Sequence, residues 1–283
     1  MYVCGQSNLI RRLDNLTDTN HMPRFMIIVG NKGTGKKVIS EYISKKIGAN
    51  FVPCGIKADE VKDVIYNSYT VSEKTLYMFF DCDDMSVNSK NALLKVTEEP
   101  PNNSYFIMTV CDVSTVLDTL ISRGTVFNIE PYTIEDLKDF ISHREYTFTK
   151  EETNIIYQIC TCPEDVMNAR ETKIKDVYDL ADKFIQFIGS ANLANELKIA
   201  TMLNMKKDQT DKINPIVFLR CIMLCCNNYI LQECTNDDLK IFTDIIRETS
   251  KALTDLGKKS LNKQMVVDNW IVSTHMKITG GEF

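Results

Sequence analysis

The densest chemical signal in the chain is the run Gly30-Asn31-Lys32-Gly33-Thr34-Gly35-Lys36-Lys37. Three glycines in six positions let backbone N–H groups curl around phosphate oxygens, and a helix beginning directly afterwards adds partial positive charge at the same point. Lys36 stands where a long cation reaches the outer phosphates. The next position normally carries Ser or Thr, whose hydroxyl binds Mg²⁺; here it is Lys37. A fixed positive charge there weakens cation binding. A second acidic stretch, Asp81-Cys82-Asp83-Asp84, follows the apolar run Leu76–Phe80. In a phosphate-binding enzyme this is where acids hold Mg²⁺ and activate the attacking water. Asp81 and Asp83 are the candidates. The chemistry legible at this level is nucleotide binding with a damaged metal end.

Those residues need a scaffold, and the flanking sequence supplies one. Phe25–Val29 is an unbroken apolar run of strand formers, and Val38, Ile39, Tyr42 and Ile43 recur at helical spacing after the loop. Strand, glycine-rich loop and helix in that order are the setting a P-loop requires. Leu76–Phe80 and Tyr105–Val110 are further two-sided apolar strands, with Phe51–Cys54 and Thr125–Ile129 as shorter ones. A face of Val61, Val64, Ile65 and Tyr69 predicts a helix over 57–69, and Ala92, Leu93 and Val96 predict another over 89–99. Buried strands alternating with helices give an α/β fold with a parallel sheet. Thr133 with Asp136 three residues later makes an approximate capping box, with Leu137, Phe140 and Ile141 as the apolar face behind it.

Composition bounds the function classes. Of the 283 residues, 44% are hydrophobic and 25% charged, as in a globular protein of two or three domains. No apolar run approaches the roughly 18 residues of a membrane span, and the start lacks a signal-peptide core, so no membrane partner is expected and the expected compartment is the cytoplasm. The net charge of −5 argues against a wholly basic nucleic-acid coat. Lys32, Lys36, Lys37, Lys45 and Lys46 form either a local basic surface or a solvated helix face. Ten cysteines without a C-x-x-C pair predict reduced thiols and no zinc site. His21, His143 and His275 stand apart in sequence and receive no role.

The stretch Asn91-Ala92-Leu93-Leu94-Lys95-Val96-Thr97-Glu98-Glu99-Pro100-Pro101, with Tyr105–Met108 and Ser122-Arg123 downstream, resembles the clamp-loader branch of the AAA+ ATPases. Within that branch it is most similar to the delta-prime subunit of bacterial DNA polymerase III and its phage relatives. Gly5-Gln6 and the P-loop fit the same pattern. The resemblance is clear from Tyr2 to Tyr132 and thins afterwards. It implies an AAA+ P-loop domain over 1–131, a small helical lid over 132–175 and an all-helical collar for oligomerisation over 176–283. The long helical patterns Asp176–Met205 and Asn214–Thr249 belong to that collar, and Trp270 is either a core residue or an interface anchor.

Carried over position by position, the resemblance puts the metal-binding aspartate on Phe80 and the catalytic glutamate on Asp81. Shifting by one makes Asp81 the metal ligand and Cys82 its partner, and neither register is complete. The sensor threonine falls on Val110. A lid arginine is expected within 163–167; none is there, and Arg170 is nearest. The zinc module common in bacterial relatives is missing from 48–75, where Cys54 is the only cysteine. What is kept is Arg123, which the resemblance implies is an arginine finger acting in trans on a neighbour's ATP. The implied function is that of a clamp-loader subunit in DNA replication, helping ATP-driven loading of the sliding clamp onto primed DNA. Its implied partners are the other clamp-loader subunits in a hetero-oligomer, expected to be a pentamer, the clamp, and primer-template DNA held through phosphates. ATP is the candidate cofactor, with weak Mg²⁺ binding at most. Two alternatives stand beside this: an ATP-hydrolysing clamp-loader subunit, and a stand-alone AAA+ DNA-remodelling or scaffold protein.

Overall fold

The computed structural model describes residues 1–188, 213–232, 235–258 and 261–280, together with Glu196 and Leu203. The chain divides into two compact units, Met1–Ser142 with Thr161–Glu164, and His143–Cys160 with Asp165–Phe283.

The first unit is built on five parallel strands: β1 (Phe25–Val29), β2 (Asn50–Cys54), β3 (Thr75–Phe79), β4 (Ser104–Val110) and β5 (Thr125–Asn128). Their order in the sheet is β2-β3-β4-β1-β5. Pairing runs Phe25 to Phe106 through Val29 to Val110 on one side of β1, and Met26 to Thr125 through Val29 to Asn128 on the other. Pro53 interrupts β2, which is tolerable because β2 is an edge strand. Alternate residues of the inner strands serve opposite faces. Phe25, Ile27, Tyr77, Phe79, Phe106 and Met108 pack with α3 (Ala58–Ser68) and α4 (Val87–Glu98). Met26, Ile28, Leu76, Met78, Tyr105 and Ile107 pack with α1 (Ser7–Asp18) and α2 (Lys36–Ile47). Both faces are thereby dry, which is why the strands read as continuous apolar runs. The helix read over 89–99 starts two residues earlier, because Ser86 caps it by accepting the Ser89 N–H. The segment 113–121 resolves into a single 3-10 turn and a short helix, α5 (Asp118–Ile121).

The order of the strands fixes the site. The chain leaves β1 for the far edge of the sheet and later returns across it to β5, so the loops after β1, β3 and β4 open at one crevice. Ligands of open α/β sheets bind at such points. Gln6 ties the start of the chain to that end: its Nε2 donates to the Glu130 carbonyl at 2.8 Å and its Oε1 accepts the Glu130 N–H at 2.9 Å. The Thr133–Asp136 capping box forms at the head of α6 (Ile134–His143).

The second unit is helical: α7 (Lys150–Ile159), α8 (Pro163–Glu171, whose first two residues belong to the first unit), α9 (Ile174–Phe187), α10 (Pro215–Leu231), α11 (Asn236–Gly257) and α12 (Lys263–Thr279). The pattern over 214–249 is two helices, not one continuous run. α10 ends at Leu231, and Thr235 restarts the chain as the N-cap of α11, in a capping box with Asp238. The reading of 176–205 lies outside the described residues beyond Ile188, apart from Glu196 and Leu203. Trp270 is core: it is 3% exposed, stacks on Phe184 at 5.4 Å and donates its indole N–H to Thr249. Cys221, Cys225 and Cys226 line the buried side of α10, where burial pushes all three thiols well above the usual range. All nine described cysteines are unbridged.

Candidate functional site

The glycine-rich loop leaves β1 with Gly30 N–H bonded to the Val110 carbonyl, which seats its start on β4. Gly33 and Gly35 both hold positive φ, 79° and 78°, and Gly35 is the N-cap of α2. L side chains rarely adopt that backbone, so these two glycines are what shape the loop. Gly33 is doubly required. A Cβ there would lie 2.5 Å from Glu164 Oε2 and 2.9 Å from Cys162 Sγ. Tyr132 clasps the loop from the other side, its hydroxyl donating to the Thr34 carbonyl at 2.8 Å. Thr34 Oγ1 in turn donates to Asn31 O.

Lys36 is buried to 8% exposure. Its ammonium folds back onto the loop, donating to the Gly30 carbonyl at 2.5 Å and the Asn31 carbonyl at 2.9 Å, with Cys111 Sγ 4.0 Å away. Lys37 points outward, 64% exposed, with Glu41 at 3.9 Å. Lys32 is exposed at the loop's tip. The wider lysine cluster is not one bare basic surface, because Lys46 pairs with Asp14 at 2.7 Å and lies over the Tyr42 ring.

At the acidic end, β3 stops at Phe79 and Phe80 packs against the core beside α1 and α2. Asp81 sits in the left-handed region at φ 50° and gives its N–H to Thr109 Oγ1. Thr109, one residue before the expected sensor position Val110, bridges the ends of β3 and β4 by also donating to Phe79 O. Asp83 has a structural task. Its carboxylate accepts the Cys111 N–H at 2.9 Å, the Asp112 N–H at 3.1 Å and the Thr115 hydroxyl at 3.3 Å. Burial raises the Cys111 thiol, against the opposing pull of Lys36. Phosphate and metal requirements therefore part company. The glycine turns and Lys36 suit a phosphate. At the expected metal end Lys37 is exposed beside Glu41, Phe80 is half-buried against the core, and Asp81 gives its N–H to Thr109. Among the described residues, no group of three or more His, Cys, Asp or Glu side chains is placed to hold a metal ion.

Arg123 lies away from this loop, in the turn between α5 and β5. Its Nη1 donates to Thr119 O at 2.8 Å, and its Nη2 pairs with Glu98 Oε1 at 2.8 Å. Its side chain is 35% exposed. The structure therefore joins the start of the Glu-Glu-Pro-Pro stretch to the Ser-Arg motif. Sequence reading missed Glu98 in this role; its signal was the motif itself, ending α4. Arg170 lies over the Tyr146 ring at 4.3 Å, and the residue of 163–167 that meets the loop is Glu164, of the opposite charge to the arginine expected there.

Residues 55–133 match the family described as "DNA polymerase III, delta subunit". The gamma subunit of DNA polymerase III from Buchnera aphidicola subsp. Schizaphis graminum is 26% identical over 50% of this chain and 47% of its own length. The tau subunit of Escherichia coli is 21% identical over 73% of this chain and 36% of its own. The chain thus spans about half or less of the length of these relatives. Among solved structures, a gamma-subunit-related protein of Thermotoga maritima superposes with a TM-score of 0.52 at 12% identity, covering 94% of this chain and 99% of that one. A point variant of the RuvB Holliday-junction branch-migration motor of the same organism superposes with a TM-score of 0.53 at 14% identity, covering 94% and 85%. The chain is thus similar to gamma and tau subunits of DNA polymerase III over half to three-quarters of its length, and it shares with these solved structures a parallel-sheet α/β fold followed by a helical region.

Proposed function

We propose that the chain is a delta-prime-like clamp-loader subunit, which offers Arg123 to a neighbour's nucleotide and does not hydrolyse ATP itself. The observation that carries this reading is the contrast between two places in one unit. At the chain's own loop, Lys37 and Phe80 stand where Mg²⁺ needs oxygen ligands, and Asp83 is taken up by backbone donors. Arg123 meanwhile is held at the surface with part of its guanidinium exposed. Placed against a neighbour's phosphate, that group would stabilise the charge developing during transfer. In this reading residues 132–175 act as the lid and 176–283 as the collar that joins the other subunits. The sliding clamp and primer-template DNA are partners of the assembly, with DNA held through phosphates.

A second reading, an ATP-hydrolysing clamp-loader subunit, is favoured by the retained turns at Gly33 and Gly35 and by Lys36 at the head of α2. Two measurements separate these readings from each other and from a lone scaffold protein. The tagged chain, purified from its own cells, should bring down other clamp-loader subunits in fixed ratio; a chain that runs alone overturns both readings. The isolated chain should release little or no phosphate from ATP. Steady Mg²⁺-dependent release, abolished by Lys36→Ala, would install the second reading.

A further inference from the structure

We infer that Glu164 decides what the glycine-rich loop accepts, its carboxylate standing against the loop and turning away the terminal phosphates of a nucleotide. The inference rests on reading 30–37 as a nucleotide-type loop and is independent of any role for Arg123.

The geometry begins with Gly33. The position a Cβ would take on it is 2.5 Å from Glu164 Oε2 and 2.7 Å from Glu164 Cβ. Both the stem and the carboxylate therefore bear on the loop backbone. The turn that carries Glu164 is fixed in place. Cys162 and Pro163 are buried, Cys162 Sγ lies 3.9 Å from the Lys32 carbonyl, and the same sulfur approaches Gly33. Glu164 itself is exposed, so its charge sits at the mouth of the loop rather than within the core.

A glycine-rich turn at the head of a helix attracts anions through its aligned N–H groups. Here an anion of the chain's own already lies against that turn. A polyphosphate arriving at the loop meets a like charge within a few ångströms and must bind beside it or push the side chain out. Lys36 keeps its positive charge with its ammonium folded onto the Gly30 and Asn31 carbonyls, and the charge of Glu164 acts against that constant background. One unit charge beside a multiply charged phosphate, in the screened surroundings of a surface site, costs at least about tenfold in affinity. Removing it should return that factor, and reversing it should return more.

The test uses the full chain with fluorescently labelled ADP as the probe, titrated with and without Mg²⁺. Glu164→Gln keeps the shape and removes the charge. Glu164→Arg reverses it. Glu171→Gln removes an acid from the same helix and serves as the control. Circular dichroism melts confirm that each variant is folded, and the isosteric Glu164→Gln decides the matter alone if the arginine variant is not. The expected result is binding at least about tenfold tighter for Glu164→Gln than for the wild type, and tighter again for Glu164→Arg. Glu171→Gln should leave binding unchanged. Both gains should vanish when Lys36→Ala is added, which places the probe at the loop. Equal affinity of wild type and Glu164→Gln, whether tight or immeasurably weak, overturns the inference. Either outcome leaves the trans role of Arg123 to its own experiment.

Discussion

Replacing Asp83 with Ala separates a structural acid from a chemical one. The carboxylate holds three donors of the segment after β4: the amides of Cys111 and Asp112 and the hydroxyl of Thr115. Hydrogen bonds to a charged group contribute about 1.5–3 kcal/mol each when buried. Cys111 is half-buried and Asp112 is exposed, so water replaces part of what is lost. The net cost is then about 2–3 kcal/mol, carried mostly by the Cys111 amide. At about 2–4 °C per kcal/mol for a unit of this size, the melting temperature of the first unit should fall by about 4–12 °C. The single tryptophan, Trp270, lies in the second unit and does not report this transition. Calorimetry follows the melt, and hydrogen exchange at Cys111 and Asp112 locates the loss. Faster exchange at those amides, with no change in the Mg²⁺ dependence of nucleotide binding, is the expected outcome. An unchanged melt together with altered Mg²⁺ dependence would refute the reasoning and return Asp83 to the metal site.

The remaining predictions concern other parts of the fold. Thr249→Val leaves the buried indole N–H of Trp270 without its acceptor and should destabilise the second unit by about 1–3 kcal/mol, read directly from tryptophan fluorescence in urea; an unchanged midpoint would contradict it. Glu98→Ala releases one of the two groups that orient Arg123 and should lower ATP turnover at the one site Arg123 serves by less than Arg123→Ala does, on the order of tenfold there and a smaller fraction of the complex's total. Turnover at the wild-type rate would show that Glu98 does not position the guanidinium. DNA binding by the lone chain should be weak, indifferent to sequence and steeply salt-dependent, as phosphate contacts are. Sequence-selective binding that persists at high salt would contradict that.

Much of the first unit was legible before any coordinates, because its strands are buried on both faces and its glycines have one use. The run Phe25–Val29 and the loop after it leave little choice, and the apolar runs at Leu76 and Tyr105 fall on β3 and β4. What could not be read is what the polar atoms bond to. Asp83 reads as a catalytic relic until its carboxylate is seen on the amides of residues twenty-eight and twenty-nine positions away. Glu164 looks like a helix-start acid until the missing Cβ of Gly33 reveals how closely it approaches. Thr109 and Val110 differ by one register step, which spacing alone does not fix in a strand buried on both sides. In the helical region the periodicity ran through the break between Leu231 and Thr235, because the capping signal of Thr235 and Asp238 is local and the apolar pattern is not.

The central claim is that Arg123 works on a neighbour's nucleotide, and Arg123→Ala in the reconstituted complex tests it most directly. The variant, mixed with its partner subunits, is assayed for DNA- and clamp-stimulated ATP turnover beside a native mass measurement. The side chain is partly exposed and its ion pair with Glu98 is of the solvent-screened kind worth about 0.2–1 kcal/mol, so assembly should survive. Arginine fingers contribute about 10³–10⁵ in rate at the site they serve. One site among several should therefore fall silent, with turnover and clamp loading reduced and the mass unchanged. A variant complex of the same mass that turns over ATP and loads clamps at the wild-type rate would contradict the account.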